Sequence, residues 1–222
     1  MIDKRYRSAA EIVAQCPSLQ DGATLLVGGF GDAGVPHQLL LAVRDLGLHD
    51  LTIISNNAGS GDGGLAALLQ AGAVTRVVCS FPRSAGSVVF EELYAAGRIT
   101  LEIVPQGTLA ERIRAGGAGI PAFYTPTAYG TPLAEGRETR EFDGRHYVME
   151  RALRADVALI HACTGDRWGN LTYAATARNF NPVMATAATS TLAEVRQLVE
   201  HTPPETIITP GIFVTRLVAV AA

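Results

Sequence analysis

The sequence predicts an α/β fold: a mainly parallel sheet with helices on both faces, three layers α/β/α, with an additional β-hairpin region. Three observations carry that prediction. In the first half, a short apolar run, a brief loop and an amphipathic stretch recur four times, and strands alternating with helices over short connections form a parallel sheet. The first apolar run enters a loop holding Gly28, Gly29, Gly31 and Gly34, and Pro36 opens the stretch that follows. In the second half, Asp143-Gly144 sits between two strand-like segments, which is a hairpin signal.

Ser8-Ala9-Ala10-Glu11 has the spacing of a capping box and starts the first helix. A strand over Thr24–Val27 leads through the glycine loop to a helix over Pro36–Leu46. Pro36 suits its first turn and Gly47 its end. Strand Leu51–Ser55 runs into a polar loop from Asn56 to Gly63, and a helix over Leu65–Ala71 stops at Gly72. Strand Val74–Ser80 runs into Phe81-Pro82-Arg83-Ser84, and a helix near Val88–Ala96 stops at Gly97. Strand Thr100–Val104 runs into Pro105-Gln106-Gly107. Thr108-Leu109-Ala110-Glu111 then reads as a second capping box, opening a helix that stops at Gly116-Gly117.

From Gly116 to Gly136 the chain is rich in Gly, Pro and Thr and reads as a long loop; such loops usually serve function or an interface. The hairpin covers Glu138–Phe142 and Arg145–Met149. Strands follow at Val157–Cys163 and Leu171–Ala174, with Asp166-Arg167 read as a solvated turn pair between them. Asn181-Pro182 begins a short helix, and strands close the chain at Glu194–Val199 and Ile212–Val218. No linker-like shift in composition and no internal repeat is visible, so residues 1–222 read as a single domain.

Composition narrows the function. Of 222 residues, 48% are hydrophobic and 18% charged, an apolar balance even for a globular protein. A net charge of −3 leaves no electrostatic footprint for nucleic acid. Cys16, Cys79 and Cys163 are odd in number and far apart, which argues against a disulfide framework and against a zinc site. The five histidines show no metal-binding spacing, so no metal is expected. No signal peptide and no membrane span is read, and a cytoplasmic location is expected. The apolar run Leu217–Ala222 is expected to pack on a partner chain.

Ligands of parallel α/β sheets bind at the carboxyl ends of the strands. Those ends hold the loop Gly28, Gly29, Phe30, Gly31, Asp32, Ala33 and Gly34, then Asn56-Asn57, Phe81-Pro82-Arg83, and Gln106-Gly107. The loop contains a literal G-x-G-x-x-G, and the helix after it offers free N–H groups to an anion. A dinucleotide site also needs an acid after the second strand, where this chain has Asn56. Gln106, Asn56 and Asn57 are candidate donors to an acyl oxyanion, with turn formation or plain surface exposure as the competing explanations. Arg83 is a candidate cation for a substrate carboxylate, the competing explanation being an exposed or ion-paired arginine. No G-x-S-x-G elbow, phosphate loop or activated carboxylate is present, so this chain supplies no obvious nucleophile.

Several stretches together resemble one family. They are Asp21-Gly22, Leu25-Leu26-Val27-Gly28-Gly29-Phe30 with Gly34 and Pro36, Ser55-Asn56-Asn57-Ala58-Gly59, Pro105-Gln106-Gly107-Thr108-Leu109-Ala110-Glu111-Arg112-Ile113-Arg114, Gly116–Thr127, Thr176-Ala177-Arg178-Asn179-Phe180 and Ile208-Thr209-Pro210-Gly211-Ile212. They are similar to the α subunit of the 3-oxoacid CoA-transferases, over nearly the whole chain. Val77–Arg83 and Gly165–Tyr173 look most like the members that take 3-oxoadipate as acceptor; acetoacetate is the alternative acceptor.

The resemblance implies that CoA passes from succinyl-CoA to 3-oxoadipate, in bacterial degradation of aromatic compounds by the β-ketoadipate route. It implies a glutamyl-CoA thioester on a separate β subunit, an α2β2 heterotetramer, and no permanently bound cofactor, coenzyme A thioester being a substrate. The glycine loop would bind CoA, and polar residues of this chain would face the acyl group. Two other readings stand beside it: a nicotinamide-dependent oxidoreductase, on the glycine motif alone, and a non-catalytic sugar-phosphate sensor, which would need the DNA-binding segment this chain lacks.

Overall fold

The computed structural model describes residues 2–83 and 86–220. Ser84 and the last residues of the apolar tail, Ala221-Ala222, lie outside them. In the first half the chain runs β1 (Arg5–Tyr6), α1 (Ala9–Ala14), β2 (Thr24–Val27), α2 (His37–Asp45), β3 (Leu51–Ser55), α3 (Gly64–Gln70), β4 (Val74–Cys79), α4 (Val89–Ala95), β5 (Thr100–Ile103) and α5 (Gln106–Gly117). It continues with β6 (Ala122–Thr125), β7 (Thr139–Phe142), β8 (Arg145–Arg151), β9 (Ala155–Gly165), β10 (Leu171–Thr172), α6 (Asn181–Thr186), β11 (Ala188–Leu198) and β12 (Arg216–Ala219).

The main sheet has the order β1-β12-β11-β9-β2-β3-β4-β5, with β10 added on β9. Every pair along that order is parallel, and β10 is antiparallel. Strands buried on both faces read as continuous apolar runs rather than alternating ones. Leu25, Ile53, Val77 and Leu159 point into one core, with Ile12 and Val13 of α1, Leu39 and Leu40 of α2, Leu68 of α3 and Phe90 of α4. Leu26, Ile54, Val78 and Ile160 point into the other, with Leu109 and Ile113 of α5 and Met184 of α6. The three-layer expectation holds.

Local signals account for most ends. Ser8 Oγ accepts from Glu11 N–H at 3.1 Å, and Glu11 reaches back to Arg7 N–H. In the hairpin turn, Asp143 at φ 50° and Gly144 at φ 74° have the paired positive dihedrals of a type I′ turn.

Four expectations are corrected. Thr108–Glu111 is not a cap: α5 starts at Gln106, behind Pro105, and Thr108 is buried inside it while Glu111 pairs with Arg114. A proline just ahead of a helix already fixes its entry, so the box spacing further in is coincidental. The long loop holds β6, which pairs with β8 and turns the hairpin into a three-stranded sheet. The apolar C-terminal run is β12, with Leu217 and Val218 buried in the main sheet. Asp166 is no solvated partner of Arg167: it is fully buried and accepts N–H bonds from Trp168, Asn170 and Thr202. Burial raises the pKa of such a carboxyl, but the bonds from Asn170 and Thr202 outweigh it and hold the group below its ordinary value.

An ionic joint ties the small sheet to the main one. Glu102 on β5 accepts from Arg76 at 2.7 Å and from Arg112 of α5 at 2.8 Å. Arg112, nearly buried, also donates to Arg151 O at 2.7 Å and lies 3.7 Å from Glu150 of β8, which Arg137 binds in turn. Burial raises the Glu102 pKa, but the two guanidiniums outweigh it and the net shift is downward. Glu102→Ala is therefore expected to destabilise the protein by about 1–2 kcal/mol in denaturant unfolding at neutral pH. Because the folded pKa is depressed, wild type keeps this advantage above the ordinary carboxyl range and loses it as the pH falls through the lowered value. A difference unchanged on acidification would show that the joint carries no charge-dependent stability.

Candidate active site

Register builds the site. Val27 pairs with Ser55, Ser55 with Cys79, and Cys79 with Ile103. Four neighbouring strands end level, so Gly28, Asn56, Ser80 and Val104 leave the sheet side by side. At this carboxyl edge lies an open cleft of about 860 Å³, and its lining includes Gly31, Asp32, Asn56, Asn57, Arg83 and Gln106. The side chains singled out along the sequence therefore meet in one place.

The glycine loop has a buried base and an exposed tip. Phe30 and Ala33 exchange backbone hydrogen bonds at 3.1 Å, closing a two-residue turn over Gly31-Asp32. Gly31 takes φ 58° at its first central position, and an added Cβ there would meet nothing within 4 Å. Phe30, Gly31 and Asp32 border the cleft, and Ala33 turns the chain away from it. The base is different. A Cβ on Gly28 would lie 1.9 Å from Asn181 Oδ1, and one on Gly34 2.9 Å from the side-chain nitrogens of Asn179 and Asn181. Asn179 accepts from Gly29 N–H at 3.1 Å and donates to Ala33 O at 2.9 Å; Asn181 donates to Gly34 O at 3.0 Å. Gly28 and Gly34 are glycines because two asparagine amides occupy the space a side chain would need.

The N-terminus of α2 is not open to a ligand anion. Pro36 offers no cap, and the Leu39 N–H donates at 3.0 Å to Glu194 Oε2, a nearly buried carboxylate on β11. The chain supplies its own anion there. The second oxygen of Glu194 lies 3.2 Å from His161 Nδ1.

Asn56 is nearly buried, and its Oδ1 accepts from Gln106 Nε2 and from Ser80 Oγ, each at 2.8 Å. Asn57 is occupied with the backbone: its Oδ1 accepts from Gly59 N–H at 2.9 Å and its Nδ2 donates to Gly31 O at 3.3 Å. Arg83 stands on the rim with its side chain 78% exposed, 3.9 Å from Glu91. Asp32 lies 3.2 Å from His37 Nε2. Burial pushes the Cys79 thiol up to about 12, so it carries no thiolate at neutral pH. Among the described residues, no group of three His, Cys, Asp or Glu is placed to hold a metal ion.

A coenzyme A transferase family model matches residues 6–220. The chain belongs to the coenzyme A transferase family. It is 61% identical to the α subunit of the 3-oxoadipate CoA-transferase of Pseudomonas putida, over 100% of this chain and 95% of that protein. It is 52% identical to the α subunit of the succinyl-CoA:3-ketoacid coenzyme A transferase of Xanthomonas campestris, over 97% of this chain and 88% of that one. Among solved structures, the acyl-CoA transferase YdiF of E. coli O157:H7, in a thioester complex with CoA, matches at TM-score 0.84 and 25% identity, over 99% of this chain and 47% of that one. Glutaconate coenzyme A-transferase of Acidaminococcus fermentans shares the fold at TM-score 0.85 and 19% identity, over 98% of this chain and 76% of that one.

In this transferase chain, sequence reasoning missed the residues that organise the site. Ser80, Asn179, Asn181 and Glu194 lie beside or beneath the cleft, yet none stands in a motif with local chemistry. For Ser80 a signal existed, since it ends a strand level with Asn56. Glu194 sits mid-strand, where a carboxylate needs a specific buried partner. The glycines separate experimentally. Gly28→Ala is expected to collide with Asn181 and abolish soluble, assembled protein. Gly31→Val, strained at positive φ but unobstructed, is expected to leave assembly intact and impair use of acyl-CoA. Kinetics in assembled Gly31→Val equal to wild type would remove the loop tip from the site.

Proposed function

We propose that this chain is the α subunit of a cytoplasmic CoA-transferase that, as a single domain within an α2β2 heterotetramer, moves CoA from succinyl-CoA to 3-oxoadipate. The observation that carries the reading is the chemistry of the cleft, found in a chain so close along its whole length to the Pseudomonas putida protein. Among the described residues lining it, Asp32 is the only carboxylate and Arg83 the only fixed cation, with amides and hydroxyls between them. Such a lining suits an acyl thioester with one distal carboxylate. It does not suit the phosphates of CoA, which would meet Asp32 and no cluster of cations. The glycine loop thus faces the acyl and adjoining part of the thioester rather than the charged end.

The nucleophile comes from the partner chain. Its glutamate oxygen attacks the thioester carbonyl carbon, the C–S bond breaks, and CoA leaves as a thiolate from an acyl anhydride. The thiolate then attacks the glutamyl carbonyl, releasing succinate and leaving a glutamyl thioester. The carboxylate of 3-oxoadipate reverses both steps and takes the CoA. No water enters and no net proton is moved. In each tetrahedral intermediate the former carbonyl oxygen is negative, and donors from Asn56 and Gln106 face that charge. Asp32 is poorly suited to the nucleophile's role, being paired with His37.

Two measurements test this reading. The purified chain, incubated with succinyl-CoA, is expected to show no covalent CoA adduct by mass spectrometry, while the complex with its partner shows one on the partner. An adduct on a carboxylate of this chain would overturn the assignment. Arg83→Ala is expected to lower kcat/KM for 3-oxoadipate about tenfold or more, as loss of a charge-assisted contact does. Activity with acetoacetate should change little. Equal loss with both acceptors would move acceptor selection to the partner chain.

A further inference from the structure

The cleft contains a three-residue hydrogen-bond arrangement whose outward face is a single primary amide. Asn56 follows β3, Ser80 follows β4, and Gln106 opens α5 after β5. The Asn56 main chain is fixed first: its carbonyl accepts the N–H groups of Ser80 at 3.2 Å and Phe81 at 3.1 Å. Its side-chain oxygen is fixed next, by Ser80 Oγ and Gln106 Nε2 at 2.8 Å each. A carboxamide oxygen has two lone pairs, so both are filled from within the chain. Among the described residues, Asn56 Nδ2 has no acceptor, although Asn56 is only 6% exposed and borders the cleft. An amide pinned by its oxygen presents its N–H₂ in one direction, and that direction is the open side.

We propose that Ser80 is a positioning residue of the transferase. With Gln106 it holds the Asn56 carboxamide so that Nδ2–H, and not the oxygen, meets the thioester oxygen as it becomes negative. The inference rests on the proposed acyl-transfer reading of the cleft. It assigns different tasks to two residues that sequence reasoning treated alike: Asn56 is the donor, and Gln106 commits an N–H to orienting it. Ser80 touches no substrate and acts through Asn56. Without its hydroxyl, the amide keeps one anchor and is free to rotate. A donor aimed in advance stabilises a developing charge without reorganising, and a donor that must first be oriented loses part of that advantage.

The test uses the complex reconstituted with its partner chain, with assembly checked by co-purification for every variant. Ser80→Ala is expected to lower kcat about 10- to 100-fold, with KM for succinyl-CoA within about twofold of wild type. Asn56→Ala should lower kcat further, by about 10²–10³. The decisive measurement is the double variant: Ser80→Ala added to Asn56→Ala should change kcat by less than about twofold, because the amide it positions is gone. A general structural role for Ser80 would instead add its full factor in the Asn56→Ala background, and that result would overturn the proposal. So would a Ser80→Ala enzyme with unchanged kcat. A wild-type complex with no transferase activity would sink the acyl-transfer reading and this inference with it, and that outcome is distinct from an active wild type insensitive to Ser80.

Discussion

The side chain of Asn181 has no access to solvent, and the reactive edge of the sheet depends on it. A buried carboxamide must find partners for its oxygen and both hydrogens, or cost about 1–3 kcal/mol for each group left unpaired. Asn181 Oδ1 takes the main-chain N–H of His161 on β9, and Nδ2 gives its hydrogens to Gly34 O and Ala177 O. Those partners can come close enough only if the loop beside them has no side chains at Gly28 and Gly34. The glycine loop, the segment Ala174–Asn181 and the central strand β9 are thus one packing problem with one solution. Asn179 adds two further bonds, and takes the unusual φ of 23° to do so.

The same network settles where negative charge resides. Glu194 lies beneath the glycine loop, bound to the N-terminal turn of α2 and to His161. A helix N-terminus that has no internal partner attracts phosphate or carboxylate from solution. Here a buried carboxylate occupies that role, so the turn stabilises the fold rather than a ligand. The cleft on the far side of the loop is left to neutral donors. This separation explains how a glycine motif that mimics a dinucleotide site serves a different chemistry: the glycines are shaped by asparagines behind them, and only Gly31 faces outward without obstruction.

The sequence made the architecture legible because each strand–helix unit carries its own punctuation. Gly47, Gly72 and Gly97 all take positive φ just past a helix, as a chain reversal there requires. The carboxyl-end rule then picked out the cleft residues from four separate segments before any contact was known. What stayed hidden depends on tertiary partners. Nothing local marks Asp166 as buried, since its acceptors are filled by residues as distant as Thr202. Strand β11 begins six residues before Glu194, over small polar residues that read as loop; pairing with β9 makes them strand. A polar side chain's purpose depends on what faces it, and pairing between distant segments decides that.

That dependence also bears on the division of labour proposed for the enzyme. The sheet register places Asn56, Ser80 and Gln106 together without any of them leaving its own element. The donors are therefore set by the main chain, with little freedom to drift. A nucleophile has the opposite requirement: it must approach a carbonyl, become acylated, carry CoA and be released. A carboxylate built into this rigid edge would also sit in the field that Asn56 and Gln106 reserve for the oxyanion, competing for the same hydrogen bonds. Two negative oxygens cannot both be satisfied by one amide N–H₂. Placing the glutamate on a second chain resolves the conflict, because one surface then stays fixed and electron-accepting while the other presents the reactive oxygen. On this argument the open cleft is one wall of a site, and the absence of a nucleophile from its lining follows from the task that wall performs.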